Sequence, residues 1–330
     1  MADNKNEKTR SYIKDFDIKQ FASDRGILIA FIIIVILLSI ASPNFMTSSN
    51  IINVLRQVSC IGIATIGVGI LIIMGHIDLA IGSTFALSGI IAGLIVSTGV
   101  GGMGLPAPVG FLAGIGAAVM VALFSGIIAA KARIPAFIVT MGMMSIARGL
   151  ALIFAHGMPV GNFPDSFTYF GTKSIGPVPW TVVIFLATIA IMWYIMEKRP
   201  LGRYIYAIGS NEDAARAAGI NVDWVKIKTY LIEGILIGVA ATMLASRLKS
   251  AAPAIGLGYE LDAIAGAIIG GVSFNGGIGS VPDMVLGALM IGVINNGMDL
   301  LGVEAFYKQV VKGSIIVIAV LIDRKRSGRS

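Results

Sequence analysis

Three observations on this sequence predict an all-α integral membrane protein. Hydrophobic residues make up 56% of the 330-residue chain and charged residues only 13%, about half the charged share of a soluble domain. The apolar residues fall in successive segments of about 20, the length that crosses a bilayer core. Lys and Arg cluster between those segments, as they do in membrane proteins. So few charges could not clothe a soluble fold of this length. Cys60 is the only cysteine and His76 and His156 the only histidines, which excludes an internal disulfide and argues against a dedicated zinc site. The net charge of +7 belongs to helix flanks, so the lipid bilayer is an expected partner and nucleic acid is not.

A 20-residue window places spans near 26–42, 51–75, 77–97, 107–130, 134–155, 179–196, 224–246, 261–280, 284–302 and 306–322, about ten transmembrane helices. The third and eighth are glycine-rich and start with acidic residues, a pattern that fits broken or re-entrant helices buried in protein. Lys5, Lys8, Arg10, Lys14, Lys19 and Arg25 precede the first span; Lys131 and Arg133 follow the fourth. Lys198, Arg199, Arg203, Arg216, Lys226 and Lys228 lie between or beside the sixth and seventh, and Arg324, Lys325, Arg326 and Arg329 end the chain. Ten crossings put all four clusters on one side, whereas 98–106 has no Lys or Arg and 156–178 has only Lys173. The positive-inside rule therefore predicts a multi-pass protein with both termini cytoplasmic. Residues 1–25 read as a cytoplasmic N-terminal arm, 26–322 as one membrane-embedded domain and 323–330 as a cytoplasmic tail. The long charged lead and the absence of a small-residue cleavage pattern make the first span a signal anchor.

Ile77-Asp78-Leu79-Ala80-Ile81-Gly82 and Leu261-Asp262-Ala263-Ile264-Ala265-Gly266 open spans an odd number apart. They suggest an inverted repeat relating spans 2–5 to spans 7–10, an arrangement that places substrate between halves. The match is short, and chance likeness between Ala/Ile/Gly-rich segments competes with it.

No GxxxxGK[ST], HExxH or CxxC is present, so the chain is read as a transport protein and not an enzyme, with no nucleotide or metal of its own. Gly99–Gly104 fits GxGxxG but lies in a loop with no strand before it. Ionisable residues within spans are costly and mark function by default: Arg148, Glu233 and Asp299 lie inside spans, and Asp78 and Asp262 at their starts. Each has a structural reading too, capping for the two aspartates and helix-to-helix pairing with a carboxylate for Arg148. Sugars are held by polar groups and aromatic faces, so Asp78, Phe85, Phe137, Arg148, Glu233, Asp262 and Phe274 are candidates for a weak translocation path. The rival class is a secondary transporter coupled to protons through Asp78, Glu233 or Asp262.

Residues 199–223 form the longest connection predicted to be cytoplasmic. Ser210 or Asn211 can cap a short helix there, with Glu212 and Asp213 in its first turn and Gly219 as a left-handed stop after Ala214, Ala215, Arg216, Ala217 and Ala218. A helix of about two turns is marginal alone. It invites a docked partner, and Ala215 is expected to be exposed with its methyl group facing the partner's groove.

This segment resembles the coupling helix of permease subunits of ATP-binding-cassette importers in the ribose/xylose/galactose group. GHIDLAIGSTFAL (75–87), IPAFIVTMGMMSIARGL (134–150), YELDAIAGAIIGGVSFNGGIGS (259–280) and NNGMDLLGVEAFYKQVVKGSIIVIAVLID (295–323) are similar to the same family and stand in its order. Ala80 replaces the usual serine, Lys131-Ala132-Arg133 a more polar turn, and Val281-Pro282-Asp283 a Gly/Thr stretch. The resemblance implies a permease of the vitamin B12-type importer fold in a prokaryotic inner membrane. It also implies a homodimer, ATPase subunits carrying ATP and Mg, and an external sugar-binding protein that delivers a monosaccharide for alternating-access import. A nucleoside, inositol or a signalling furanoside is the alternative cargo.

Overall fold

The computed structural model describes residues 26–327, with side chains to residue 321; the predicted arm at 1–25 and the last three residues lie outside that range. The described chain has thirteen helices and one two-stranded hairpin. They are α1 (Gly26–Ala41), α2 (Ser48–Ile73), α3 (Ile81–Val96), α4 (Ala107–Lys131), α5 (Ala136–Phe154), α6 (Asp165–Thr172), β1 (Ser174–Ile175), β2 (Val178–Pro179), α7 (Trp180–Lys198), α8 (Pro200–Ser210), α9 (Glu212–Ala217), α10 (Val222–Leu248), α11 (Tyr259–Ile269), α12 (Val281–Leu300) and α13 (Ala305–Ser327). Six of them, α2, α4, α5, α7, α10 and α12, are long and apolar enough to cross a membrane.

Helix α2 is the axis of the bundle. Every residue from Val58 to Ile73 is buried, as expected of a helix apolar on all faces, and α10, α11, α12 and α7 pack round it. Helix α4 lies against α3 and α10, where glycines permit close approach: Gly114 sits against Ser88 and Thr242, and Gly126 against Tyr230. The outer helices keep broad apolar faces uncovered, including Ile33, Ile36 and Leu37 of α1, Phe124 of α4, Ile138 and Ile153 of α5, and Leu186 and Ile191 of α7. Such continuous apolar surface suits lipid and not water.

Several elements differ in extent from the sequence reading. The eighth segment, read as a broken or re-entrant span over 261–280, is helical only to Ile269; 270–280 is irregular, with Gly271, Gly276, Gly277 and Gly279 at positive φ. Hydropathy reads apolarity, and it cannot tell an apolar, glycine-rich loop from a helix. At about 16 Å, α11 is too short to cross the core unaided. The loops predicted at 156–178 and 199–210 contain α6, the hairpin and α8. Helix α13 runs past the predicted boundary at 322.

The connections sort to two ends. At one end the Ile73 carbonyl accepts from Gly277 N (2.8 Å), the Tyr206 hydroxyl donates to the Gly279 carbonyl (2.8 Å), and a Cβ on Gly209 would collide with the Ile73 carbonyl. Residues 74–80, 131–136, α8, α9 and 270–280 meet there, bringing Arg133, Arg216 and Lys226 to the same end. At the other, Val160 pairs with Ala251, Ser246 Oγ donates to the Phe167 carbonyl (2.7 Å), and Thr98 N donates to the Asn162 carbonyl (3.2 Å).

Candidate coupling helix and membrane-embedded polar groups

Helix α9 is built by local rules. The Asn211 side chain accepts from Ala214 N (2.9 Å), satisfying a donor of the first turn. Glu212 and Asp213 follow at the positive end of the dipole. At the far end Gly219 has φ +85°, Ile220 N donates to the Ala215 carbonyl (3.1 Å) and Gly219 N to the Arg216 carbonyl (3.1 Å), the Schellman arrangement. Of the two capping candidates, Asn211 takes the role; Ser210 ends α8.

Charge ties this helix to α10. Glu212 accepts from Arg216 (3.1 Å) and from Lys226 Nζ (2.8 Å), and Arg216 also reaches Asp223 (3.1 Å). The Arg216 pairs are solvent-exposed and worth little individually. Lys226 is only 6% exposed, so its carboxylate partner is the one that matters. Burial alone would raise the Glu212 carboxyl; the hydrogen bonds and charges of Lys226 and then Arg216 outweigh it and hold the group below its ordinary range.

The expectation for Ala215 is corrected. It is buried, at 4% exposure, in the same core as Val222 and Val225 of α10, because a six-residue helix must seat one face on its own chain to persist. The face left open carries Asp213, Ala214, Arg216, Ala217 and Ala218, with Gly219 beside it. Ala217 lies in the helix as the sequence predicts, whereas the tie from Lys226 to Glu212 carries no local sequence signal. The i, i+4, i+7 run Leu201, Ile205, Ile208 after Pro200 was the available signal for α8.

Beside α9 opens a cavity of about 360 Å³, lined by Gly75–Ile77, Arg133–Phe137, Glu212 and Lys226 among others. His76 Nδ1 is 3.3 Å from the Tyr230 hydroxyl. Burial first, and Lys226 second, push its pKa down to about 4, so the ring is neutral at pH 7.

The membrane-embedded candidates separate. Asp78 precedes α3 and its carboxylate accepts from Ala80 N (2.6 Å), closing a turn, whereas Asp262 lies within α11 and accepts from Lys312 (2.8 Å) and Asn295 (3.2 Å). Asp78 thus stands just before its helix and Asp262 in the first turn of its own. Glu233 is buried with its carboxyl beside that of Asp78, and its oxygens meet no other hydrogen-bond partner among the described residues. The Arg148 guanidinium donates to the Pro253 and Ile255 carbonyls and also feels the charge of Glu260, so it ties α5 to the non-helical segment 249–258 and to the start of α11. Asp299 pairs with Lys308. Phe85 is buried edge-on against Tyr259, while Phe137 (48%) and Phe274 (41%) are exposed. Phe137 lines the same cavity as the coupling candidate Glu212.

The family model described as "Branched-chain amino acid transport system / permease component" matches residues 50–320. The chain belongs to this permease family. It is 39% identical over 316 residues to the ribose import permease protein of Escherichia coli (strain K12), covering 93% of this chain and 96% of that protein. It is 39% identical over 305 residues to the ribose import permease protein of Bacillus subtilis (strain 168), covering 92% and 93%. To the D-allose transport system permease protein of Escherichia coli (strain K12) it is 33% identical over 312 residues, 94% of each. With its apolar helices, this makes the chain the membrane permease subunit of an ATP-binding-cassette sugar importer, a transport subunit whose ATP hydrolysis lies in partner subunits.

Proposed function

We propose that the chain carries D-ribose or a closely related monosaccharide inward across a prokaryotic inner membrane, as a homodimer of about ten crossings per copy with both termini cytoplasmic. The carrying observation is the nearly end-to-end similarity to ribose import permeases. The vitamin B12-type fold, the relation of spans 2–5 to 7–10 and a single membrane domain over 26–322 belong to this reading. Packing of one helix set around α2 supports the single domain, and the positive end formed by Arg133, Arg216 and Lys226 supports the orientation. ATP and Mg sit on two ATPase subunits, and an extracytoplasmic binding protein delivers the sugar.

In this mechanism the open face of α9, within the coupling segment 199–223, seats in a groove of the ATPase. When the ATPase subunits close on ATP, α9 is displaced. Its tie to Lys226 hands the displacement to α10, which packs on α2, α3 and α4, so the bundle rocks as a unit and the path opens to the other side. A passing sugar needs groups it can reach. Phe137, Arg148 and Phe274 are therefore kept as path candidates, and buried Asp78, Phe85, Glu233 and Asp262 are assigned to holding helices together.

The test is uptake of labelled D-ribose by cells lacking their own permease and supplied with this chain, its ATPase and its binding protein. Unlabelled D-ribose should compete; D-allose, L-arabinose, a nucleoside and inositol should compete weakly. Uptake that another of these abolishes, and ribose does not, would reassign the cargo.

A further inference from the structure

The cavity beside α9 lies where three connections of the chain converge. Residues 74–80, between α2 and α3, form one wall, the α4–α5 turn a second, and Glu212 with Lys226 a third. A body entering it would touch elements leading into five helices at once, which the open face of α9 alone does not allow.

Its charge is one-sided. Lys226 shares the Glu212 carboxylate, which Arg216 also engages. Arg133 has no hydrogen bond or ion pair among the described residues, and it faces the same cavity from an exposed position. His76 adds no charge at pH 7. One guanidinium is thus left over beside a buried ammonium, with Pro135 and Phe137 supplying an apolar floor. A guanidinium set in a concave, partly apolar site favours a planar anion that can accept two parallel hydrogen bonds. The volume admits a whole side chain and is far larger than a water site requires.

We propose that this cavity receives a carboxylate side chain, Asp or Glu, of the ATPase subunit, with Arg133 as its ion-pair partner, giving the ATPase a second hold next to α9. The inference rests on the reading of α9 as the docked helix. The cavity adjoins that face through Glu212, so one partner surface spans both. A side chain seated there would press on the α2–α3 and α4–α5 connections directly, adding to the α9–α10 route.

The experiment uses the permease in lipid nanodiscs with its own ATPase subunit and measures their Kd at low and high salt. Arg133→Glu should weaken binding about tenfold or more at low salt and by much less at high salt, as a charge contact at an interface rim requires. Arg133→Gln should lose part of that, and Arg133→Lys should retain most of the binding. Arg133→Gln adds no charge at an exposed position, so it reports even if the reversal harms folding. Ala214→Trp separates the two claims. If it abolishes binding while all Arg133 variants bind within about twofold of wild type, the cavity proposal is overturned and the α9 reading stands. If Ala214→Trp binds normally, the α9 reading itself fails. Nanodiscs of zwitterionic lipid alone test the other anion source: an Arg133→Glu defect seen only with anionic lipid would make a headgroup the occupant and overturn the proposal.

Discussion

Replacing Gly219 by valine should disable coupling while leaving the membrane bundle intact. Gly219 holds φ +85°, and a β-branched residue there faces a cost of about 1–2 kcal/mol for the left-handed conformation. Backbone that escapes the strain loses both terminal hydrogen bonds, to the Ala215 and Arg216 carbonyls, at about 1 kcal/mol each. Either route costs α9 about 1–2 kcal/mol, a shift of roughly 5- to 30-fold in its folded population. A helix of six residues has no margin of its own, so it should fray. Gly219→Asn tolerates the left-handed region and should cost much less. Hydrogen exchange over 214–220, together with ATPase co-purification and sugar uptake at matched membrane levels, reads the difference. Val and Asn variants indistinguishable from wild type would refute the reasoning. So would a Val variant that fails to insert, because Gly219 would then support the bundle itself.

Further outcomes follow from the same geometry. Ala214→Trp, on the open face, should leave the thermal stability of the isolated permease unchanged and abolish uptake, whereas Ala215→Trp should overpack the core and lower stability by about 1–3 kcal/mol, measured by thermal unfolding in detergent. Asp262→Ala should destabilise by about 3 kcal/mol by stranding Lys312 in partly buried surroundings; Asp262→Ala with Lys312→Met should recover much of that loss in the same assay. The Glu212 carboxyl lies below its ordinary 4.5, so its contribution is complete above that pH and is lost as pH falls through the lowered value. Exchange protection of α9 should therefore be flat from pH 8 to 5 and fall only below about 4.5; a midpoint near pH 6 would implicate another group.

Much of α9 was legible because caps act over three or four residues. Asn211, Glu212 and Gly219 state its start, first turn and stop within the sequence itself. What those residues touch was not legible. Ala215 is buried in the core that also holds Val222 and Val225, beyond a turn that local rules do not orient, and Lys226 meets Glu212 only because α10 begins beside α9. Long spans such as α2 and α4 were placed within a few residues because apolar length is their defining property. The eighth segment was overextended because 270–280 is apolar and glycine-rich yet not helical. Arg148 shows the limit most plainly: its acceptors are backbone carbonyls about a hundred residues away, and a carbonyl carries no sequence signal.

In the proposed mechanism ATP, acting through a partner docked on α9, drives sugar through this chain. That is tested most directly by proteoliposomes containing the permease and its ATPase, with sugar-loaded binding protein outside and the internal solution exchanged. Uptake should require internal ATP, stop with vanadate, persist when a protonophore collapses the proton gradient, and disappear in Ala214→Trp. Uptake that proceeds without ATP on an imposed proton gradient, and is lost in Glu233→Gln or Asp78→Asn but not in Ala214→Trp, would contradict it.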